Sequence, residues 1–217
     1  RLSLTTHDSG GLTWRDLAEA TFAVRTGIPW IATNPDLTFP TSRGVAPGNG
    51  SLIEIVGRTA GRTPDAVAGK PEPPLLHEAI ARTGAERPLM IGDRLDTDIE
   101  AGWRIGVPTL LVMTGVTTVE ELLRAEPHER PDYIGADLRV LLEPYPTATL
   151  EGAVATCGQA RAQVVDGQLE LTSSGQPWNA LRAAALCAWQ ATDAGVNFRF
   201  DAASAVPWEA DKGDGNA

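Results

Sequence analysis

The segment Leu89-Met90-Ile91-Gly92-Asp93-Arg94-Leu95-Asp96-Thr97-Asp98-Ile99 decides both the fold class and the position of a candidate site. A short apolar run ends in a cluster of three carboxylates, which predicts a buried strand followed by a helix with an acidic first turn. Open α/β sheets bind ligands beyond the carboxyl ends of their strands. Because carboxylate oxygens suit a hard cation such as Mg²⁺, the segment predicts a metal site at a strand end.

Each of these acids also has an ordinary structural interpretation. Asp93 suits a turn after a strand, and Asp96 suits the cap of the following helix. Asp98 falls in the first helical turn, where the helix dipole favours a negative charge. The three together favour a cation, because packing like charges at one strand end costs energy unless a cation offsets them.

Composition excludes some function classes. The chain has 217 residues and a formal net charge of −10, which argues against a nucleic-acid partner. No apolar run reaches the roughly 20 residues of a membrane span, and no signal peptide is visible, so we expect a cytoplasmic protein. Cys157 and Cys187 match no metal or redox spacing and are expected to be reduced core residues. The first residue is Arg1 rather than Met, so we expect either that a tag or leader was removed or that the chain is a fragment of a longer one.

Capping signals and hydrophobic periodicity predict an alternation of strands and helices. Thr13 with Asp16, Ser51 with Glu54, and Thr118 with Glu121 read as capping boxes. Residues 43–50 are rich in Gly and Pro and are predicted to form a loop. Strands are predicted near residues 2–5, at 29–33, 66–68, before Asp93, at 107–113 and at 132–134, and helices at 14–26, 51–59, 73–82, up to 105, at 119–125 and at 138–142. This order predicts a doubly wound parallel α/β sheet.

The character of the sequence changes near residue 147. Alternating residues at 162–165 and 168–171 flank an Asp-Gly turn, which predicts a hairpin, and residues 177–192 read as an Ala-rich helix. Trp178 and Trp189 are expected in the core or at a contact rather than against a ligand. His7, His77 and His128 match no ligand spacing, and the polar tail 212–217 is expected to be disordered.

Lys70 is a second candidate for chemistry. It lies in a Gly-Lys-Pro turn before a predicted helix, where an ammonium group and the helix amino end could face an oxyanion. An exposed surface lysine is the ordinary alternative. A lysine combined with metal-binding carboxylates is what phosphoryl chemistry requires, since the transferred group carries charge on several oxygens.

Three segments in this order resemble the haloacid dehalogenase (HAD) superfamily: Gly69-Lys70-Pro71, residues 91–102 and residues 110–116. Two more, residues 32–36 and 47–52, are similar to cap segments of the class with a large α/β cap. That class holds the NagD-like, phosphoglycolate, pyridoxal phosphate and p-nitrophenyl phosphatases, and the chain looks close to its actinobacterial glycerol 3-phosphate phosphatases. The resemblance implies that residues 1–68 are the second part of a cap, that 69–146 are the carboxyl-terminal half of the core, and that 147–217 are an accessory α+β region.

The resemblance also implies roles for individual residues. Lys70 matches the lysine that neutralises the phosphate and the attacking carboxylate, and Asp93 matches the Mg²⁺ ligand. Asp98 matches the acid that supports the metal waters and the lysine. Asn34 and Asp36 match a cap loop that faces the substrate, although an Asn-Pro-Asp turn is an equally good interpretation.

The attacking group of the family has no counterpart in this sequence. The family places it in an amino-terminal Asp-x-Asp-Gly strand that forms an aspartyl phosphate, and Asp96-Thr97-Asp98 lacks the glycine and the position. We therefore expect a Mg²⁺-dependent phosphatase of a small phosphorylated metabolite in the parent protein and no turnover by these 217 residues alone. A degenerate module that only binds phosphate and Mg²⁺ is the alternative. Residues 147–217 are expected to serve structure or the contact of a homodimer.

Overall fold

The computed structural model describes residues 11–172 and 176–200, and these residues confirm the α/β class with parallel sheets. They divide into two compact units, residues 11–88 with Glu100–Val107, and Leu89–Ile99 with residues 108–172 and 176–200. The predicted strand near residues 2–5, His7 and the tail 212–217 lie outside the described residues. Within the described ranges, no helix is long and apolar enough to cross a bilayer.

The first unit pairs short strands with helices. Ala20 and Val24 of its first helix pack with Trp30 and Val56 in a small buried core. The helices are α1 (Trp14–Arg25), α2 (Asn49–Ala60), α3 (Pro74–Thr83) and α4 (Glu100–Ile105), and the strands are β1 (Ile31–Ala32), β2 (Thr38–Thr41), β3 (Gly44–Pro47) and β4 (Ala66–Val67). A parallel pair joins β1 to β4, and an antiparallel pair joins β2 to β3.

Two predictions for this unit are wrong. The predicted loop at 43–50 contains strand β3, which pairs with β2. The helix predicted to begin at Ser51 begins at Asn49, and the Ser51 hydroxyl donates to the Leu37 carbonyl at 2.7 Å instead of capping. The early start of α2 has a local cause, since the Gly50 N–H donates to the Asp36 carbonyl at 2.8 Å. The capping box of Thr13 with Asp16 is confirmed.

The strands of the second unit are β5 (Met90–Gly92), β6 (Thr109–Val112), β7 (Tyr133–Gly135), β8 (Thr149–Glu151), β9 (Val154–Cys157), β10 (Ala160–Val165) and β11 (Gln168–Thr172), and its helices are α5 (Val119–Leu123) and α6 (Pro177–Asp193). The strands form a parallel sheet in the order β5-β6-β7 and an antiparallel sheet in the order β11-β10-β9-β8. The capping box of Thr118 with Glu121 is confirmed at the start of α5. A π-helical turn covers Leu95–Ile99, and 3-10 turns cover Pro127–Glu129 and Leu138–Leu142.

Alanines on α6 form much of the core of this unit, against the antiparallel sheet. Trp178 and Trp189 pack against that core, as expected, and Trp189 Nε1 donates to the Leu122 carbonyl at 2.8 Å. Cys157 and Cys187 are buried and free, and burial raises the pKa of both thiols. Strands β8 and β9 were not predicted, because both are short and their conformation is set by pairing, of β9 with β10 and of β8 with β9. The domain boundaries at residues 68 and 147 stay predictions.

The carboxylate of Asp65 ties together two loops of the first unit, and its stabilising effect should depend on pH. It accepts the Trp30 backbone N–H at 2.8 Å and Arg62 Nη2 at 2.9 Å. These hydrogen bonds, the one from Trp30 first, lower the pKa of Asp65 below its ordinary 3.8. A lowered pKa stabilises the fold above the ordinary value, and this contribution is lost as the pH falls through the folded-state pKa.

We therefore expect Asp65→Asn to lower the thermal midpoint at pH 7, with a gap from wild type that narrows as the pH falls below 3.8. Thermal melts followed by circular dichroism across this range measure the effect. Glu86→Gln is the control, since the described residues give Glu86, an exposed acid, no hydrogen bond or ion pair. A gap of the same size at pH 7 and in acid would contradict the assignment.

Candidate functional site

Asp93 is fixed where the sequence predicts it, directly after β5. Strands β5 and β6 run parallel with Gly92 opposite Leu111, so the residue after β5 meets the loop after β6. Asp93 Oδ2 accepts the Val116 N–H at 3.0 Å, and the Asp93 carbonyl accepts the Thr117 hydroxyl at 2.6 Å. Among the described residues, no group donates to Asp93 Oδ1. The half-buried carboxylate therefore keeps an oxygen for a hard cation.

Asp98 shapes the turn that follows. Its side chain is only 3% exposed, and Oδ2 accepts the backbone N–H groups of Asp93 and Arg94, both at 3.1 Å. These bonds satisfy two donors at the strand end, since buried backbone donors need partners. Asp96 was expected to cap the helix, but its exposed carboxylate instead forms a bidentate pair with Arg94 at 3.0 and 2.7 Å.

Two glycines permit this close packing of carboxylates. A Cβ atom at Gly92 would overlap the Asp98 side chain, and one at Gly115 would overlap the Asp93 carboxylate. Neither neighbour is the free end of a long flexible side chain, so each would have to shift. Positions 92 and 115 therefore require glycine, because any side chain there would displace one of these carboxylates.

We expect Gly115→Ala to displace the Asp93 carboxylate and to weaken Mg²⁺ binding by about tenfold or more, on the scale of losing one oriented partner of a metal ligand. Isothermal titration with MgCl₂ measures the affinity, and a thermal melt reports the fold. Thr114→Ala, at the exposed neighbouring position, is the matched control. Equal affinities for Gly115→Ala and Thr114→Ala would show that this contact does not position Asp93.

Asn34 and Asp36 meet in a turn of the first unit. Asn34 Nδ2 donates to Asp36 Oδ2 at 2.5 Å. Asn49, 2% exposed at the start of α2, donates from Nδ2 to the Asn34 carbonyl at 2.9 Å and to Thr33 Oγ1 at 3.1 Å. Two buried acceptors in this network, Asp36 Oδ1 and Asn49 Oδ1, receive no hydrogen bond. The side chain of Asn49 thus holds the turn in place, and two oxygens of this network are buried without a donor.

Lys70 follows the strand that pairs with the strand before Asn34. The Ala68 N–H donates to the Ala32 carbonyl at 2.8 Å, which extends the parallel β1–β4 pairing. The carboxyl ends of both strands therefore lie together, and Gly69 packs so closely on the Thr33 carbonyl that a Cβ atom would overlap it. Lys70 is half-buried and lies four residues before α3 begins, as the sequence predicts.

The predicted residues thus fall into two groups of contacts. Asp93 and Asp98 share one strand-end turn, and Asn34 and Asp36 share another that adjoins the Gly69-Lys70 turn. The residues that hold these turns, Asn49, Val116 and Thr117, were not predicted from the sequence. Asn49 and Val116 belong to the segments 47–52 and 110–116, which resemble the family without showing what each residue does, and Thr117 lies just after the second segment.

Comparison with known proteins places this geometry in context. Residues 67–141 match a family model described as HAD-hydrolase-like. The D-glycerol 3-phosphate phosphatase of Mycobacterium tuberculosis is 43% identical over 197 residues, which cover 86% of this chain and 54% of that protein. An acid sugar phosphatase of Staphylococcus haemolyticus is 43% identical over 133 residues, which cover 60% of this chain and 49% of that protein.

Solved structures of phosphatases are also similar to this chain. A crystal structure of the glycerol phosphate phosphatase of M. tuberculosis in complex with magnesium matches with a TM-score of 0.69 at 38% identity, over 89% of this chain and 57% of that one. The 4-nitrophenylphosphatase of Thermotoga maritima matches with a TM-score of 0.56 at 39% identity, over 60% of this chain and 50% of that one. The chain spans about half the length of the curated relatives it matches.

Proposed function

The chain belongs to the HAD-like hydrolases, and we propose that it contributes one side of the active site of a Mg²⁺-dependent phosphomonoesterase. The observation that carries the proposal is the turn after β5, where Asp93 keeps a carboxylate oxygen for a cation beside the buried carboxylate of Asp98. The relatives named as phosphatases, one of them crystallised with magnesium, support the same reading.

The donor set fits a Mg²⁺ ion. Mg²⁺ prefers oxygen ligands, keeps several waters and often takes only one or two protein carboxylates. Asp93 would hold the ion directly, and Asp98 would orient Asp93 through the backbone N–H groups that it accepts. When bound, the ion would supply positive charge against the phosphate oxygens.

Lys70 would supply a second positive charge. Its ammonium group is a compact point charge at a turn before α3, suited to a phosphate oxygen that becomes more negative during transfer. In this proposal Lys70 also offsets the negative charge of the attacking carboxylate, so that the carboxylate can approach an anionic phosphate.

The attacking carboxylate would come from outside these 217 residues. One edge of the parallel sheet, within the described residues, is β5, which pairs only with β6. An apolar strand at an open edge exposes unpaired backbone groups and favours addition of another strand. A strand added beside β5 would end next to Asp93, where an attacking carboxylate would have to lie.

Asn34 and Asp36 would contact the substrate. Their amide and carboxylate groups are hydrogen-bonding groups, so the turn favours a phosphomonoester that carries hydroxyl groups. Glycerol 3-phosphate and sugar phosphates have such groups. We propose this substrate class, with the individual metabolite to be identified by a panel of phosphomonoesters.

We expect the 217-residue chain alone to give no Mg²⁺-dependent hydrolysis of p-nitrophenyl phosphate, because it lacks the group that attacks phosphorus. A continuous assay of released p-nitrophenol measures this, and a longer protein that carries an Asp-x-Asp-Gly strand ahead of these residues is the positive control. Turnover by the pure chain would place the nucleophile within it. Mg²⁺ binding without turnover by the longer protein would favour the degenerate binding module.

A further inference from the structure

A cavity of about 350 Å³ lies in the second unit, away from the turn after β5. Its walls come from residues 136–146, which follow β7, and from the first turns of α6. Gln176 precedes α6 without making a side-chain capping hydrogen bond, and the first turn of the helix contains no acid. The cavity therefore opens at a helix amino end, where the dipole favours negative charge.

A buried guanidinium lines this cavity. Arg182 is only 7% exposed, and its Nε donates to the Ile134 carbonyl at 3.0 Å while Nη1 donates to Asn179 Oδ1 at 2.9 Å. Its central carbon lies 4.4 Å from the centre of the Tyr145 ring. These contacts fix the orientation of the guanidinium, and all of them are neutral.

No described carboxylate forms an ion pair with Arg182. A charge removed from water is costly unless an opposite charge compensates it, and neutral acceptors satisfy donors without doing so. Arginine is seldom buried unless it is paired. The missing partner of Arg182 is therefore an anion, which the cavity has room to admit.

The same wall holds a buried hydrogen-bond donor without an acceptor. Trp178 lines the cavity, and its indole N–H is buried without any acceptor. A buried donor without a partner is uncommon in a folded protein and calls for a ligand or an ordered water. A single negatively charged acceptor would compensate the charge of Arg182 and also accept the indole N–H of Trp178.

Two acids also lie at the cavity, and they differ. Asp137 is engaged by Arg139, whose Nη2 donates to it at 2.6 Å, and that side-chain hydrogen bond lowers the pKa of Asp137. Glu143 is exposed, so its charge is screened by water but still opposes an anion. Neither acid lies within ion-pair distance of Arg182.

We propose that this cavity binds a small oxyanion, a carboxylate or phosphate group, with Arg182 as its counter-ion and the Trp178 indole as an additional donor. The planar guanidinium fork matches both groups, since each offers two oxygens to parallel N–H donors. This site is independent of the proposed phosphatase site and would give the carboxyl-terminal region a ligand of its own.

The test uses the 217-residue chain labelled with ¹⁵N. The indole N–H signal of Trp178 is assigned by its loss in Trp178→Phe and is then followed during titration with sodium phosphate and, separately, with sodium acetate. Sodium chloride at matched ionic strength is the blank. This signal reports the cavity itself, so phosphate bound near Lys70 and Asp93 does not imitate the result.

We expect a saturable shift of the Trp178 signal with phosphate or acetate and none with chloride. The anion with the higher affinity shows whether the cavity prefers a phosphate or a carboxylate group. Arg182→Lys should weaken binding about tenfold, because the fork is lost while the charge remains. Glu143→Gln should tighten it. No saturable shift, or an unchanged affinity in folded Arg182→Lys, would overturn the proposal. If Arg182→Lys does not fold, an unchanged affinity in Glu143→Gln would overturn it.

Discussion

Asp93→Asn is expected to lower kcat/KM for p-nitrophenyl phosphate by at least about a hundredfold in the protein that supplies the attacking carboxylate, the scale for losing one preorganised electrostatic group. The substitution is chosen to preserve structure. An asparagine oxygen can still accept the Val116 N–H, and the Asp93 carbonyl still accepts Thr117. The change thus removes negative charge from the cation ligand and leaves the turn in place.

Asp96→Asn is the matched control for this substitution. Asp96 is three residues away, but it is exposed and its carboxylate pairs with Arg94. Surface pairs contribute little, so we expect less than about a threefold change in rate. Raising the Mg²⁺ concentration should recover part of the Asp93→Asn rate if the loss is one of metal affinity. Near-normal activity of Asp93→Asn, or an equal loss in Asp96→Asn, would remove Asp93 from the proposed metal site.

The turn after β5 shows what local sequence could predict. An apolar run, a glycine and an acid define a strand end wherever they occur, so the positions of β5 and Asp93 were predictable. The contacts of Asp98 were not, because its pattern equally suits a charge in the first helical turn. Asp98 Oδ2 accepts the N–H groups of Asp93 and Arg94, and the lack of a side chain at Gly92 leaves room for it. Neither contact can be read from the local sequence.

The turn at Asn34 shows where local prediction fails. It is held by Asn49, fifteen residues later, and by the close approach of the chain at Gly48 and Gly50. Gly and Pro between residues 43 and 50 read as a loop because propensity is local, whereas pairing with β2 makes part of that segment a strand. Contacts distant in sequence therefore override the local signal at the point where substrate recognition is proposed.

Arg182 is a similar case in the carboxyl-terminal region. In the sequence it is one basic residue within an Ala-rich helix, and such residues usually face solvent. Burial becomes visible only when α6 is packed against the antiparallel sheet and β7, where Arg182 reaches the Ile134 carbonyl. The sequence of this region carries no ligand-binding motif, because the cavity is formed by segments that are separated along the chain.

The second large effect is expected at Lys70. Lys70→Ala should lower kcat/KM by about a hundredfold, or ~2.7 kcal/mol of transition-state stabilisation. The reason is that the positive charge of Lys70 would offset the negative charge that grows on the phosphate oxygens. The turn itself should survive, since its backbone is held by β4 and by the packing of Gly69 on the Thr33 carbonyl. A thermal midpoint close to wild type would show that the loss is catalytic.

Lys212→Ala is the charge-matched control, because the sequence has lysine only at positions 70 and 212. Lys70→Arg separates charge from shape. If a compact ammonium group is required, arginine restores little, since its planar fork directs donors differently. If long-range charge is sufficient, arginine restores most of the rate, and high salt should then depress the wild type as well. Equal rates for wild type and Lys70→Ala would contradict a role in phosphoryl transfer. Asp93 would then remain a metal ligand without a catalytic lysine, which is the arrangement expected of a binding module.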